Sequence, residues 1–226
     1  MHDFPLILLT KTDRFSCDAR LIAESIFGSG VRSFCGQRDD NLPSELTTSP
    51  HAILVSFLSP WIIPQFILDK MELAINFHPG STDYPGTGCY NFALYDEAPE
   101  FGAVCHHMLA KVDTGALIEE RRFALLPHDS VETLKLRTMV TMLAMFQDIM
   151  HLIAAGKPLP VADRQWSRRP YTRREMDNLK LLDETMSARE IDRRLRATIY
   201  PGYPGPQMRY GNRTVEYPVA QRTAIA

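Results

Sequence analysis

Apolar residues recur along this chain with two different periods, and the switches between them mark out its elements. "PLILLT" (5–10) and "HAILVSF" (51–57) are short, nearly unbroken apolar runs, the pattern of strands covered on both faces. "VRSFCG" (31–36) and "ELAINF" (72–77) supply two more strands. Helical spacing predicts a helix over 16–27, with Ser16 or Asp13 as its cap, a short one over 64–71 and another in "YNFALYDE" (90–97). "GAVCHHML" (102–109) and "ALIEERRFAL" (116–125) read as strands joined by a tight turn at "VDTG" (112–115). Such alternation of strand and helix predicts an α/β fold with a doubly wound, mostly parallel, Rossmann-like sheet.

The strongest periodic signal is "DSVETLKLRTMVTMLAMFQDIMHLIAAG" (129–156), capped by Asp129 or Ser130 and stopped by Gly156. Its stripe of Val131, Leu134, Met139, Leu143, Phe146, Met150 and Ile153 predicts a core-facing helix rather than a cofactor site. Pro-broken chain follows, so residues 1–160 are expected to form one domain and 161–226 a small α+β extension. Within the extension, "REMDNLKLLDETMSAREIDRRLR" reads as helix, and "PQMRYGNRTVEYPV" as two strands around Gly211-Asn212.

Composition adds a charge asymmetry. Residues 1–160 hold 12 Lys+Arg against 19 Asp+Glu, whereas 161–226 hold 13 against 8, with 12 of the 13 bases arginine. Two readings follow: the tail grips an anionic substrate group, or its arginines pair with the chain's own acids. The net charge of −2 makes nucleic acid a poor partner. Four scattered cysteines (Cys17, Cys35, Cys89, Cys105) without a CxxC, and no leader or membrane-length apolar run, predict a cytoplasmic protein with reduced thiols. Cys89, after "GTG", is an inert thiol before it is a nucleophile.

Chemistry concentrates in "NFHPGSTDYPGTG" (76–88), where a buried strand ends in a long Gly/Pro-rich loop. Ligands in open parallel sheets sit beyond the carboxyl ends of the strands. Asn76 and His78, two apart, point to one side of extended chain, and Asp113 opens the turn after a later strand. Amide, imidazole and carboxylate together suit acyl transfer to an amine: oxyanion donor, general base, and the group that orients the base. Turn capping by Asn and packing by His account for the same short motif without any chemistry. His106 and His107 alternate faces, so one of them faces the site. The spacing of His78, His106 and Asp113 matches no metal site, and none is expected.

"NFHPG", the loop after it, the helix, the strand and "VDTGALI" together resemble the formyltransferases that use 10-formyltetrahydrofolate, over roughly residues 50–150. The resemblance implies that Asn76, His78 and Asp113 are the catalytic trio. It implies a folate pocket of Leu58, Ser59, Trp61 and Ile62 from "FLSPWIIP", with Met108, Ala110 and Val112 as the other wall. His106 matches a pocket-side histidine of the purine branch of the family.

The family divides by acceptor. Its purine branch holds a phosphate on a Gly-rich loop after the first strand, where this chain reads "LLTKTDRFSCDAR" without a glycine. The methionyl-tRNA branch adds a basic barrel larger than the 66 residues left here. The sugar N-formyltransferases, with a compact C-terminal extension that often carries a homodimer contact, are the branch implied. The acceptor is then a nucleotide-linked amino sugar. Tyr84, Thr87, His106, Trp166 and Tyr171 are the candidate substrate contacts, with Trp166, Tyr171, Tyr200 and Tyr203 suited to stacking a base. The loop lacks the Leu-Leu-Pro common in that branch. Alternatives are another small amine, an aminoacyl-tRNA, hydrolysis of the formyl folate, or a folate- or nucleotide-binding subunit that does no chemistry.

Overall fold

The computed structural model describes residues 4–217. Six strands make the main sheet: β1 (Leu6–Lys11), β2 (Val31–Gly36), β3 (Ile53–Phe57), β4 (Leu73–His78), β5 (Glu100–His107) and β6 (Leu117–Ala124). Their spatial order is β2-β1-β3-β4-β5-β6. The first four run parallel, while β5 and β6 form an antiparallel pair on the β4 edge. The strands are joined or covered by α1 (Arg14–Phe27), α2 (Glu45–Thr48), α3 (Gln65–Leu68), α4 (Cys89–Tyr95) and α5 (Val131–Ala154).

Strand alternation splits the sheet into two unlike faces. Phe57, Phe77 and Cys105 sit in register across β3, β4 and β5 and are fully buried under α5. There Phe146 packs edge-on to Phe57 and Phe77, with centroids 5.3 and 5.1 Å apart. The neighbouring register row is Ser56, Asn76 and His106, which must face the other way. The hydrocarbon row fixes the register, and the register presents the polar row.

Beyond β6 and α5 come α6 (Arg173–Leu179), β7 (Leu181–Asp183), α7 (Ala188–Thr198), β8 (Gln207–Tyr210) and β9 (Arg213–Glu216), the three strands forming a small second sheet. One buried cluster spans both parts of the chain, joining Tyr84, Phe92 and Phe101 to Tyr171, Met176, Leu179 and Ala197.

Several local readings are corrected. The 112–115 turn is not tight: β5 ends at His107, β6 begins at Leu117, and 108–116 form a loop between them. The helix over 64–71 shrinks to α3 because the chain must turn through Asp69–Met71 to enter β4. The 174–196 segment is two helices, since Leu181–Asp183 pair in parallel with β8 and Ser187 caps a fresh start. The short α2 carried no periodic signal. Asp13 and Ser130 are the side-chain caps of α1 and α5. The terminal hairpin forms around Gly211, though residues 218–219 of that reading lie outside the described residues. No helix among the described residues is long and apolar enough to cross a membrane.

Candidate active site

Parallel strands deliver their carboxyl ends to one edge, and the site lies beyond β3 and β4. A cleft of about 210 Å³ opens there, lined by Ser56, Leu58, Ser59, Trp61, Ile62, Asn76, His78, His106, Met108, Val112 and Asp113 among others. Three observations explain its apolar walls. Leu58 leaves β3 with φ +56°, which turns the following chain outward. Ser59 Oγ accepts from Trp61 N at 3.2 Å, and the indole N–H donates to the Asp40 carbonyl at 3.0 Å. Opposite them, Met108 and Val112 come from the loop that replaced the expected tight turn. Of the seven predicted pocket residues, only Ala110 lies outside the lining; its N–H donates to Gln65 Oε1 at 3.2 Å.

At the cleft floor, Asn76, His78, His106 and Asp113 converge. Asp113, at φ +50°, is buried and takes contacts from three sides. Its Oδ2 accepts from the Gly86 N–H at 2.9 Å and lies 3.3 Å from His78 Nδ1. Its Oδ1 lies 3.3 Å from His106 Nε2, which is also 3.1 Å from Asn76 Nδ2. Burial alone would raise the Asp113 pKa, but the charge of His78, the hydrogen bond from His106 and the Gly86 amide outweigh it and hold the group at about 2.

The rings have a shared logic. His78 Nε2 lies 3.2 Å from the Tyr84 carbonyl, and His106 Nδ1 lies 2.8 Å from the His107 carbonyl. A carbonyl only accepts, so a hydrogen bond there is donated by the ring, and the other nitrogen of each ring lies against Asp113. His106 therefore faces the site, while His107 points to solvent.

The loop from 79 to 88 is held by groups the sequence did not single out. Glu120, almost fully buried, accepts from Thr82 N at 2.8 Å and from Thr82 Oγ1 at 3.1 Å. Arg122 donates to Thr82 Oγ1 at 2.8 Å and pairs with Asp83, Glu100 and Glu120. A buried carboxylate demands such partners, and here they pin the chain just past His78. The available signal was two charges on one face of a sheet strand, at positions 120 and 122. Gly86 (φ +86°) lets the loop approach the later chain: a Cβ there would lie 2.5 Å from the Tyr171 carbonyl.

Other predicted contacts fall elsewhere. Tyr171 has no free face for a base: Phe92 stacks on it at 3.7 Å and the Arg168 guanidinium lies 3.3 Å from its centroid. Tyr84 is buried in the same cluster, 5.9 Å from Phe101 between ring centroids. Thr87 is tied to it through backbone, its N–H donating to the Tyr171 carbonyl at 3.0 Å. Tyr200 and Tyr203 tilt against each other at 5.0 Å, and Lys135 Nζ donates to the Tyr200 hydroxyl at 2.8 Å. Trp166 stands edgewise to both site imidazoles. Cys89 donates to the Pro79 carbonyl at 3.1 Å, and burial pushes its thiol up to about 12, so it is no nucleophile.

Three arginines of α7 serve the chain itself, on carbonyls more than on acids. Arg194 donates to the carbonyls of Asn178 and Leu181 and pairs with Glu190. Arg193 and Arg196 likewise donate to backbone carbonyls, of Tyr95, Asp129 and Leu126. These arginines are spent on the chain itself.

Residues 32–146 match the family model described as formyl transferase. Among curated proteins, the methionyl-tRNA formyltransferase of Burkholderia orbicola is 26% identical over 162 residues, 71% of this chain and 48% of that protein. The GDP-perosamine N-formyltransferase of Brucella melitensis is 25% identical over 145 residues, 63% of this chain and 55% of that protein. The chain thus spans about half the length of the curated relatives it matches. Among solved structures, a sugar N-formyltransferase from Shewanella sp. superposes with a TM-score of 0.78 at 15% identity, covering 97% of this chain and 98% of that one. The N-formyltransferase of Helicobacter canadensis, solved with folinic acid and dTDP-3-aminofucose, gives 0.69 at 14% identity over 86% and 80%.

Proposed function

The chain belongs to the formyl transferase family, and from that premise we propose that it moves a formyl group from 10-formyltetrahydrofolate to the primary amine of a nucleotide-linked sugar. The observation that carries this reading is the gathering of two imidazoles and an amide on one buried carboxylate at the floor of an apolar-walled cleft. The apolar side chains of Trp61, Ile62, Met108 and Val112 along the cleft suit a pterin ring. That folate occupies a solved structure of similar fold supports the same assignment, and the sugar nucleotide in that structure supports the acceptor class. Residues 1–160 serve as the catalytic domain and 161–226 as an extension for substrate contact or dimerisation.

Transfer requires two things of the protein. The formyl oxygen gains negative charge as nitrogen attacks, and in this reading Asn76 Nδ2 donates to it. The attacking amine must lose a proton, and His78, paired with Asp113, is the base for it. Asp113 keeps its charge throughout, because its pKa is held at about 2.

Formyl transfer to a panel of nucleotide-linked amino sugars tests the proposal, with product followed by mass. His78→Ala is expected to lower kcat by about 10²-fold or more, and Asn76→Ala by about 10²- to 10³-fold. Equal turnover in wild type and His78→Ala would remove His78 from the chemistry. A thermal shift series against folates and nucleotide sugars identifies the acceptor independently, since binding to the native state raises Tm.

A further inference from the structure

Building on the formyl transfer reading above, we propose that Trp166 determines the choice of nucleophile, by sealing the two imidazoles against water so that the formyl group passes to an amine instead.

The indole meets both rings of the site, with centroids 5.2 Å from His106 and 6.0 Å from His78 at steep interplanar angles of 82° and 73°. It takes no part in lining the cleft. It arrives on the strap 162–171 that leaves α5, and its Nε1–H donates to the Gly115 carbonyl at 2.8 Å, two residues from Asp113. The strap is stitched to both halves of the site. Ala162 N donates to the Leu117 carbonyl at 3.3 Å, and Ser167 N to the Thr82 carbonyl at 3.2 Å. Tyr171 N donates to the Pro85 carbonyl at 2.8 Å, and Thr87 N to the Tyr171 carbonyl at 3.0 Å. The outcome is a strongly polar cluster with almost no solvent contact: His78 is 6% exposed, His106 2% and Asp113 8%.

Such a seal answers a chemical problem. Water attacks the formyl carbon by the same route as an amine: a C–O bond forms, the C–N10 bond breaks, N10 takes a proton, and formate and tetrahydrofolate leave. The imidazole that relieves an amine of its proton relieves water equally well, so the acid–base groups do not discriminate. Discrimination falls to whatever fills the space beside the rings. An indole there removes water without adding a competing base or donor at the reacting nitrogens.

Two measurements on full-length protein separate this from a structural role. In ligand-free protein, diethylpyrocarbonate labelling of His78 and His106 is followed by mass spectrometry, with exposed His51 and His128 as internal references. Trp166→Ala is expected to raise labelling of both site rings about tenfold, and Trp166→Phe to leave it near wild type. In the second, 10-formyltetrahydrofolate hydrolysis without acceptor is expected to rise about tenfold in Trp166→Ala and to return towards wild type in Trp166→Phe. Both variants lose the bond to Gly115, so an effect shared by the two belongs to strap anchoring and overturns the inference. Unchanged labelling in Trp166→Ala also overturns it, as does raised labelling with unchanged hydrolysis. Should labelling respond as expected while wild type turns over no formyl folate with any amine or water, the function proposed above fails and the physical seal stands.

Discussion

The sheet core and the junction that holds the C-terminal segment are built from different materials. Under α5 the contacts are hydrocarbon and aromatic: Phe57, Phe77, Phe146, Met142, Met145 and Ile149 are all buried and carry no charge. At the junction, aromatic rings and arginines share the work. Arg168 covers Tyr171, Arg193 covers Tyr95 while donating to its carbonyl, and Arg194 and Arg196 cap the ends of other segments. A hydrocarbon core is non-directional and holds by area. A guanidinium on a carbonyl holds by direction, and each such bond contributes modestly because water competes for both partners. The sheet is therefore the stable frame, and the strap with α6 and α7 is the part that can loosen from it. The site lies on the seam, with Asn76, His78 and His106 on the frame and Trp166 on the strap.

The largest expected effect tests the frame. Phe146→Ala removes a ring with no exposure from between Phe57 and Phe77, and is expected to cost about 3–5 kcal/mol. It should appear as a lower urea midpoint, and amides of β3, β4 and α5 should lose protection together. A loss below about 1 kcal/mol would mean that the frame is not held by this cluster.

Asp113 tests the seam itself, because it joins His106 on β5 to Gly86 in the loop that carries the strap. Its pKa is depressed from 3.8 to about 2, so its stabilisation is present above about pH 4 and is lost as pH falls towards 2. The shift corresponds to about 2 kcal/mol at neutral pH. Asp113→Asn should thus be less stable than wild type by about that amount at pH 7. The gap should close between pH 4 and 2, read as converging urea midpoints. A gap independent of pH would show that the carboxylate charge contributes nothing and that the loop is held by shape alone.

Much of the frame was legible in the sequence and little of the seam. β1, β3 and β4 announce themselves as apolar runs, and the α5 stripe recurs at helical spacing, because burial imposes a period on neighbouring residues. Asn76 and His78 were legible for the same reason: a two-residue step on a strand places both side chains on one face. His106 could be narrowed only to one of two adjacent histidines until the β4–β5 register chose it. The partners that orient the rings, the carbonyls of Tyr84 and His107, are backbone atoms that every residue carries, so no residue type marks them. The same blindness hid the arginines' use, since a guanidinium on a carbonyl leaves no complementary charge to find. Trp166 meets His78 across 88 positions of chain, a contact that only the path of the strap decides.

The smallest effect distinguishes a loosening strap from a loosening frame most cleanly. Thr172 caps α6 in a reciprocal box: its hydroxyl accepts from Glu175 N at 3.2 Å, and Glu175 Oε2 accepts from Thr172 N at 2.7 Å. It sits one residue after Tyr171, where the strap is clipped to the 85–87 loop. Thr172→Ala removes the acceptor for the Glu175 amide at an expected cost of about 1 kcal/mol. If the junction opens before the sheet, hydrogen exchange should quicken in α6 and in the Tyr171 and Thr87 amides, while β3 and β4 keep their protection. Equal quickening in β3 and β4 would mean that strap and sheet open as one unit. Motion confined to the strap side would place the weak point where Trp166 meets the histidines, so that a modest local opening exposes the rings while the cleft keeps its shape.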